Sequence, residues 1–368
     1  MKKQLYGTTF LVALGLSITP AAAGMDPIHL ELGGSFKQNF GFGEQDLGTS
    51  TANEVSYQNN EVHFKMRGEL DNGLVIGGAI ELEAESTGDQ IDQHYVTLSG
   101  GFGQLRLGSI NSGRYSMIIG SPNVGLGPNS GSQGQYMTMT DNGGGTATST
   151  YSDISGDSQK ITYFTPRFSG FQLAASWSPT TGTTAGEDNG LASDLTEYQD
   201  AWDFGVSYKG DINDASISAM LGVGGAHAPS VAKAAGFDNW LTWNAGVKVG
   251  YAGFTVGGGV TVNEEGQSNA AGTTSNEGTA WTLGASYSTG PYSFSVARFE
   301  GNSKGFIARA DDSERESWAV GAKYQIGPGL STSLTFYQAD TKGQAAATGT
   351  TVTKNDGTAV IWGLAVGF

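Results

Sequence analysis

The sequence predicts an all-β protein: one antiparallel up-and-down β-barrel of 16 strands that spans a membrane. Apolar and polar residues alternate through 16 segments of about ten residues each, the length of a tilted transmembrane strand. The connections between these segments alternate between short and long. Glycine, at 58 of 368 residues, has about twice its usual share, which disfavours a helical fold because glycine is a poor helix former.

The composition excludes several classes of protein. Without cysteine, the chain has no disulfide, no thiolate metal site and no cysteine nucleophile. Its 35 acidic residues against 19 basic ones argue against nucleic acid as a partner, because that binding needs a basic face. The interior of the sequence has no run of 18 apolar residues, so we expect no membrane-spanning helix.

Residues 1–23 have the pattern of a cleaved secretory signal peptide. Lys2 and Lys3 precede an apolar stretch, and the small residues 21–23 follow Pro20 as a cleavage site. The alternative is an N-terminal membrane anchor, for which the apolar stretch is short. Cleavage leaves 17 basic residues against 35 acidic ones, a net charge of −18. The exported chain, 24–368, is then a single barrel domain.

The first, second and last strands show the alternation clearly. Residues 28–37 carry apolar side chains at most even positions, and 61–70 and 359–368 repeat the pattern. A period of two gives each strand two different faces. The other segments of this kind are 74–84, 91–99, 103–110, 159–165, 170–178, 201–209, 215–223, 240–251, 253–263, 279–288, 291–299, 316–326 and 329–338.

The connections are sorted by length. The short ones, such as 71–73 and 327–329, contain the glycine, asparagine and aspartate that tight turns need. The long ones lie near 43–54, 85–90, 111–157, 179–200, 224–239, 264–278, 300–314 and 339–357. A soluble sandwich has no reason for this order, whereas an outer-membrane barrel has short periplasmic turns and long external loops. A secreted β-solenoid would show a fixed repeat length, and the strand spacing here is irregular.

Aromatic residues collect at both ends of the predicted strands. Such belts are typical of a barrel whose ends lie at the two membrane interfaces. The long-loop ends carry Trp177, Trp202, Trp240, Trp243, Trp281 and Trp318. The short-turn ends carry Tyr208, Tyr251, Phe254, Tyr287, Tyr292 and Tyr324.

The second face of the strands predicts a pore. In lipid the sheet must close so that every backbone group is paired, and its apolar face must point outward. The other face carries Glu31, Lys37, Lys65, Arg67, Arg106, Asp203, Asn244, Lys248 and Lys323. A dry core of such charges is costly, and a barrel of 16 strands is wide enough to hold water. We therefore expect a water-filled channel.

The loop 111–157 is unusual because it has 47 residues and is rich in apolar side chains. Tyr115, Met117, Ile118, Ile119 and Tyr136 need a surface to pack against. We expect the loop to fold into the barrel and to narrow the pore. The alternative is an external cap or a contact between subunits.

Three sequence runs, in this order and spacing, resemble Gram-negative general diffusion porins, and those of α-proteobacteria most closely. They are RGELDNGL at 67–74, FGQLRLG at 102–108 and KITYFTPRFSGFQ at 160–172. The chain also ends in a phenylalanine preceded by alternating apolar residues, which resembles the assembly signal of outer-membrane barrels. The residues of this signal are Trp362, Leu364, Val366 and Phe368.

The resemblance implies a homotrimer in the outer membrane, with lipid and the barrel-assembly machinery as partners. It also implies an inward third loop whose acidic side chains face basic side chains on the barrel wall. The loop acids are Asp141, Asp153 and Asp157. The candidate basic residues are Lys37, Lys65, Arg67, Arg106, Arg114 and Lys160. The chain departs from the family pattern at His63 and Thr162, where arginine is common, and in its short loop 85–90.

The expected function is passive diffusion of small hydrophilic solutes and ions. A field across the pore selects by charge, and the acidic lumen and loop residues predict a weak cation preference. No metal or cofactor is expected, although Ca²⁺ could bind the acidic loops 179–200 and 264–278.

Two other functions agree less well with the sequence. A channel specific for a sugar or an anion needs an aromatic track in the lumen, and only Tyr95 and Tyr337 are candidates. An enzyme is not expected, because the chain has only four histidines to supply a catalytic base and no Walker or dinucleotide-binding motif.

Overall fold

A computed structural model of the chain describes residues 27–46, 53–84, 90–129, 134, 136–137, 149–181, 197–234, 236, 238–265, 274–309, 311–344 and 354–368. The signal peptide at 1–23 lies outside the described residues, so its cleavage stays a prediction. Within the described part, no helix is long and apolar enough to cross a membrane.

All 16 predicted strands are present, and most are longer than the sequence pattern indicated. The first eight are β1 (His29–Gln45), β2 (Glu54–Glu69), β3 (Val75–Glu83), β4 (Ile91–Gly100), β5 (Gly103–Ser109), β6 (Gln159–Phe164), β7 (Phe171–Thr180) and β8 (Gln199–Ile212). The last eight are β9 (Ala215–His227), β10 (Trp240–Tyr251), β11 (Phe254–Glu265), β12 (Thr274–Thr289), β13 (Tyr292–Phe306), β14 (Ser313–Gly327), β15 (Leu330–Lys342) and β16 (Lys354–Gly367). The described helices are single turns, a 3₁₀ turn at Tyr115–Met117 and an α turn at Ser230–Ala234.

The strands form one closed antiparallel barrel. Each strand pairs with its neighbours in the sequence, and β16 returns to pair with β1 from Ser35↔Gly367 to Gln45↔Gly357. Closure leaves no strand edge with unpaired N–H and C=O groups, which is the condition for a sheet to cross lipid. The predicted fold class is therefore confirmed.

The short turns use the backbone conformations that the sequence indicated. Gly73 has a φ of 78°, and Gly253 has a φ of 85° directly after Ala252. These values lie in the left-handed region, which glycine adopts without steric cost. The turns therefore reverse the chain within a few residues, whereas the connections at the other end of the barrel are long.

The barrel is polar inside and apolar outside. Large apolar side chains such as Leu334, Phe336 and Val360 are exposed on the outer face, at 52%, 44% and 47% of their surface. On the inner face of neighbouring strands, Thr282 and Ser317 are buried. This is the reverse of a soluble protein, in which apolar side chains fill the interior. The outer face therefore suits lipid.

Aromatic side chains pair across strands near the short turns. Phe254 stacks near Tyr287 with ring centroids 4.4 Å apart, and Tyr292 lies 5.2 Å from Tyr324.

At the long-loop end of the barrel, the prediction that Trp240 belongs to the outer belt is wrong. Trp240 is buried on the inner face, where it packs edge-on against Tyr198 with ring centroids 6.1 Å apart. Its even position puts it on the opposite face from the exposed Trp243.

Toward the long loops, the outer face becomes charged. Glu300 lies opposite Glu316, which lies opposite Asp340, which lies opposite Asp356. Directly opposed like charges destabilise a sheet. Arg298 offsets part of this repulsion by donating to Glu316 at 3.0 Å. Such a row of charges belongs in water, so these strands extend beyond the region that meets lipid.

Candidate pore constriction

The loop between β5 and β6 contacts the inner face of the barrel at several points. Its backbone N–H groups donate to side-chain oxygens of four different strands. The pairs are Gly113 N with Ser176 Oγ at 2.8 Å, Ser121 N with Thr282 Oγ1 at 3.1 Å, Val124 N with Ser295 Oγ at 2.9 Å and Leu126 N with Thr335 Oγ1 at 3.1 Å. These acceptors lie on β7, β12, β13 and β15, so the loop follows the wall rather than leaving it.

Arg114 holds the beginning of the loop. Its side chain is fully buried, and its guanidinium donates to Asn244 Oδ1 of β10 and, at 2.7 Å, to the carbonyl of Ser152. The Arg114 backbone N–H donates to Asp203 Oδ1 of β8 at 3.1 Å. Burial lowers the pKa of the Arg114 guanidinium, while the neighbouring Asp203 acts in the opposite direction. Arg114 thus ties the loop's first and last turns to two strands.

A chain of side-chain hydrogen bonds continues from this arginine. Asn244 Nδ2 donates to Thr261 Oγ1 of β11, and Thr261 Oγ1 donates to the carbonyl of Thr150. Arg114 and Thr150 are therefore linked through two wall residues. Because Asn244, Thr261 and Thr150 are also buried, water does not compete for these bonds.

Glycines on β9 make room for the arginine. A Cβ atom at Gly222 would lie 2.6 Å from Cγ of Arg114, and one at Gly224 would lie 3.1 Å from its Nε. A carbon atom at 2.6 Å is inside van der Waals contact. The wall opposite Arg114 therefore accepts its side chain only because these positions lack side chains.

Asn129 closes the middle of the loop on itself. Its Nδ2 donates to the carbonyl of Ser121 at 2.8 Å and to Asn123 Oδ1 at 2.9 Å. Its Oδ1 accepts from Ser121 Oγ at 2.8 Å, and its carbonyl accepts from Thr150 N at 3.1 Å. These bonds give the segment 121–129 a fixed shape that the alternating strand pattern does not reveal.

Lys160 holds the end of the loop. Its ammonium donates to the carbonyls of Gly156 and Ser158, both at 2.7 Å, and to that of Ile110. Only 4% of Lys160 is exposed. The sequence grouped Arg114 and Lys160 with the basic pore wall, but both lie beneath the loop and bind its backbone.

Two of the three predicted loop acids, Asp153 and Asp157, lie within the described residues. Asp141 lies outside the described residues. Asp153 accepts from Ser112 N at 3.0 Å and from Ser155 N at 3.2 Å, so it also shapes the root of the loop. Burial, together with the Asp153 charge, raises the pKa of Tyr115 to about 12. Asp157 is half-buried in the same segment.

The far part of the loop packs against β2 and β15, the strands on either side of the β1–β16 pair. Tyr136 meets Tyr57 of β2 edge-on at 6.0 Å and lies 6.1 Å from Tyr337 of β15. Tyr337 is 1% exposed. It is therefore covered by the loop, which removes one of the two aromatic residues considered for a sugar track.

The remaining predicted bases lie on strands that the first part of the loop leaves uncovered. Lys37, Lys65 and Arg67 are exposed on β1 and β2, and Arg106 is half-buried on β5. Arg67 and Arg106 occupy one ladder row, separated by Gly77 and Thr97, which places their Cα atoms about 14 Å apart. Lys65 lies opposite Glu31 of β1. Glu31 is six residues from Lys37, a distance of about 20 Å along β1. These bases are therefore spread over the wall and do not form one cluster.

Acidic groups lie among them on the same wall. His63 Nε2 is 3.0 Å from Glu61 Oε2 and 4.0 Å from Glu81 Oε2. Arg67 pairs with Glu69 at 3.3 Å. Both signs of charge therefore line this side of the barrel.

Sequence reasoning missed the residues that bind the loop. Apart from Asp203 and Asn244, which the alternation places only as polar lumen residues, the acceptors are serines and threonines of the inner face. The signal available was a small polar residue at an inner position of nearly every strand from β7 to β15. That signal does not distinguish a side chain that faces water from one that binds a loop.

The C-terminal residues complete the closure of the barrel. Phe368 N donates to the Gly34 carbonyl at 3.1 Å, and Gly34 N donates to the Phe368 carbonyl at 3.0 Å. The Phe368 ring stacks on Phe36 at 5.7 Å, and Trp362 stacks on Phe40 at 6.5 Å. Leu364 and Val366 lie between them on β16, so the predicted assembly signal lies along the β1–β16 seam.

Replacement of Phe368 by alanine is expected to lower the yield of folded barrel. The stacked pair with Phe36 contributes about 0.5–1.5 kcal/mol beyond its buried area, and it acts at the closing seam. The yield is measured as the heat-modifiable fraction on an electrophoresis gel after expression in cells. Phe336→Ala, an exposed outer residue of β15, is the control. Equal yields for the two variants would show that the seam position has no special role.

Comparison with known proteins agrees with this architecture. A family model described as Gram-negative porin matches residues 7–344. No curated protein is significantly similar to the chain. Among solved structures, an anion-selective porin from Comamonas acidovorans has 16% identity and a TM-score of 0.62, over 93% of this chain and 100% of that one.

Two other solved structures are similar at lower identity. A loop-deletion mutant of OmpT, an outer membrane protein of Vibrio cholerae, has 11% identity and a TM-score of 0.60, over 93% of this chain and 100% of that one. A mutant porin of Rh. blastica has 14% identity and a TM-score of 0.54, over 92% and 100%. At these identities the similarity concerns the fold. The family model covers most of the sequence, and its residues form a closed barrel with a polar interior: the chain belongs to the Gram-negative porin family.

Proposed function

We propose that the protein is a water-filled channel for the passive diffusion of small hydrophilic solutes and ions across the outer membrane. The observation that carries this proposal is the closed 16-strand barrel with exposed apolar side chains outside and buried polar side chains inside. A barrel of this size leaves a lumen that side chains do not fill. The membership in the porin family supports the same function.

The narrowest part of the pore, in this proposal, lies between the loop 111–157 and the strands β1–β5. The hydrogen bonds from Ser121, Val124 and Leu126 to wall side chains support an inward path for the loop. The opposite wall carries the exposed charges of Lys37 and Lys65. Solutes then pass between a fixed backbone on one side and charged side chains on the other, where charge and size both act.

A weak cation preference is proposed for the channel. Acidic residues predominate in the chain, and several of them, including Glu316 and Asp340, lie near the long-loop ends of the strands. Their field raises the local concentration of cations at that entrance. The bases of the inner wall oppose this effect, so the preference is weak.

The proposed assembly is a homotrimer in outer-membrane lipid. The chain is exported with cleavage of its signal peptide and is then folded into the membrane by the barrel-assembly machinery. A trimer form is described for OmpT of Vibrio cholerae, whose structure is similar to this one with a TM-score of 0.59. A closer relation to α-proteobacterial porins is part of the same proposal. Ca²⁺ binding to the acidic loops concerns segments, 182–196 and 266–273, that lie outside the described residues.

The channel proposal is tested by adding purified protein to a planar lipid bilayer. We expect stepwise increases in current, grouped in threes if trimers insert as units. Swelling rates of liposomes in sugars of increasing size then give the size limit. A protein that is folded by circular dichroism and gives no current would refute the channel function.

The charge selectivity is tested by neutralising the exposed wall bases. The triple variant Lys37→Gln, Lys65→Gln and Arg67→Gln is expected to shift the reversal potential in a KCl gradient toward the K⁺ potential, because three positive charges leave the pore wall. Lys354→Gln, an outer-face residue of β16, is the control for a change in total charge. An unchanged reversal potential would place these three side chains away from the narrow part of the pore.

A further inference from the structure

We propose a binding site for small organic dianions on the short-turn side of the loop, in a cavity of about 560 Å³ between the loop and strands β5–β10. The proposal rests on the channel function above, because a ligand reaches this cavity through the lumen. Its polar lining includes four basic side chains, Arg106, Arg167, Lys209 and Lys248, and its described lining has no acidic residue.

The two lysines are brought together by the register of three strands. Lys209 of β8 and Lys248 of β10 both lie opposite Ser218 of β9. Their Cα atoms are therefore two strand spacings, or about 10 Å, apart. Within the described part of the chain, neither ammonium forms an ion pair. Two like charges in one cavity repel each other, and an anion between them relieves that repulsion.

The two arginines are held in position by neutral partners. Arg106 Nε donates to Gln104 Oε1 at 2.7 Å, and its guanidinium lies 4.6 Å from the centroid of the Phe164 ring. Arg167 donates to the Gly170 carbonyl at 2.6 Å and to Gln172 Oε1 at 2.9 Å. These bonds orient both guanidinium groups without neutralising them. Planar guanidinium groups bind carboxylates with paired hydrogen bonds.

The roof of the cavity is apolar. It is formed by Met117, Ile118 and Ile119 of the loop, and Phe164 contributes to the wall. A ligand with a short hydrocarbon body between two anionic ends fits this arrangement of apolar roof and cationic walls. The volume lies within the range of about 300–1,000 Å³ that small-molecule sites occupy. The chemical class is therefore an aliphatic dicarboxylate rather than a free inorganic anion.

The contrast with the rest of the chain strengthens this interpretation. The protein has nearly twice as many acidic as basic residues, and some bases elsewhere on the wall pair with carboxylates, as Arg67 does with Glu69. In the cavity, four bases share one space without a carboxylate in its described lining. A group of basic side chains without neighbouring carboxylates is suited to bind an anion.

The experiment measures current block in a planar bilayer at constant ionic strength. Succinate added on either side is expected to reduce the chloride current in a saturable manner, whereas acetate at equal ionic strength has little effect. The double variant Lys209→Gln and Lys248→Gln is expected to weaken the block by succinate at least tenfold. The double variant Lys233→Gln and Lys323→Gln removes the same charge elsewhere and is expected to keep the block.

The outcomes separate this site from the channel function. Stepwise conductance without saturable block by succinate would overturn the site and leave the channel standing. Equal loss of block in both double variants would show a general effect of lumen charge and would also overturn the site. Equal block by succinate and acetate would replace the dicarboxylate class with nonspecific anion attraction. Absence of conductance in the folded wild type would refute the channel function itself.

Discussion

Deletion of residues 120–150 is expected to raise the single-channel conductance by roughly twofold or more and to admit larger sugars, because conductance and size limit both follow the open cross-section. The deletion removes the contacts of Ser121, Val124 and Leu126 with β12, β13 and β15. It leaves Arg114 in place at the root of the loop. Single-channel recording and liposome swelling with sugars of graded size measure the two effects.

A deletion of 182–196, in the connection between β7 and β8, is the control. It shortens a different long loop and is expected to leave the sugar size limit unchanged. The folded state of each variant is checked by heat-modifiable migration before conductance is compared. If the 120–150 deletion folds and keeps the wild-type size limit, the loop does not narrow the pore.

Replacement of Arg114 by alanine is expected to destabilise the barrel by about 3 kcal/mol or more, because it removes the arginine charge that interacts with the buried Asp203 carboxylate. It also removes the hydrogen bonds to Asn244 and to the Ser152 carbonyl. With its root released, the loop is expected to produce rapid fluctuations of the open-channel current. Unfolding in denaturant and current noise are the two measurements.

Two further variants make this test specific. Gly222→Ala places a Cβ 2.6 Å from Cγ of Arg114, so it should reproduce the current noise without changing any charge. Arg67→Ala removes an arginine whose side chain is 60% exposed and whose ion pair with Glu69 is exposed to solvent. Such pairs contribute at most about 1 kcal/mol, so its stability should stay close to wild type. If Arg114→Ala has wild-type stability and no additional current noise, Arg114 does not anchor the loop.

The alternation of side chains predicted the strands well because it is a local property. An apolar residue at every second position indicates which face of the strand meets lipid, and the exposed side chains of Phe336 and Val360 lie on that face. The order of short and long connections added the antiparallel topology. The strand ends were harder to predict, because β13 and β14 continue past the apolar band as charged ladders in water. There the apolar signal stops while the backbone pairing continues.

The roles of the basic residues could not be predicted in this way. The position of Lys160 on the inner face is readable from the sequence, yet its ammonium binds three backbone carbonyls instead of facing solvent. Arg114 was expected beside the pore for the same reason. Its burial depends on a loop that returns across it and on the glycines of β9.

The barrel of strands and its polar interior follow from the sequence, because a two-residue period and turn chemistry act over a few neighbouring residues. Which polar residues bind the loop and which face the lumen depends on the tertiary structure. The shared cavity of Lys209 and Lys248 also depends on it, since strand register brings them to the same serine. Register and loop path depend on contacts between residues far apart in sequence, and no local pattern records them.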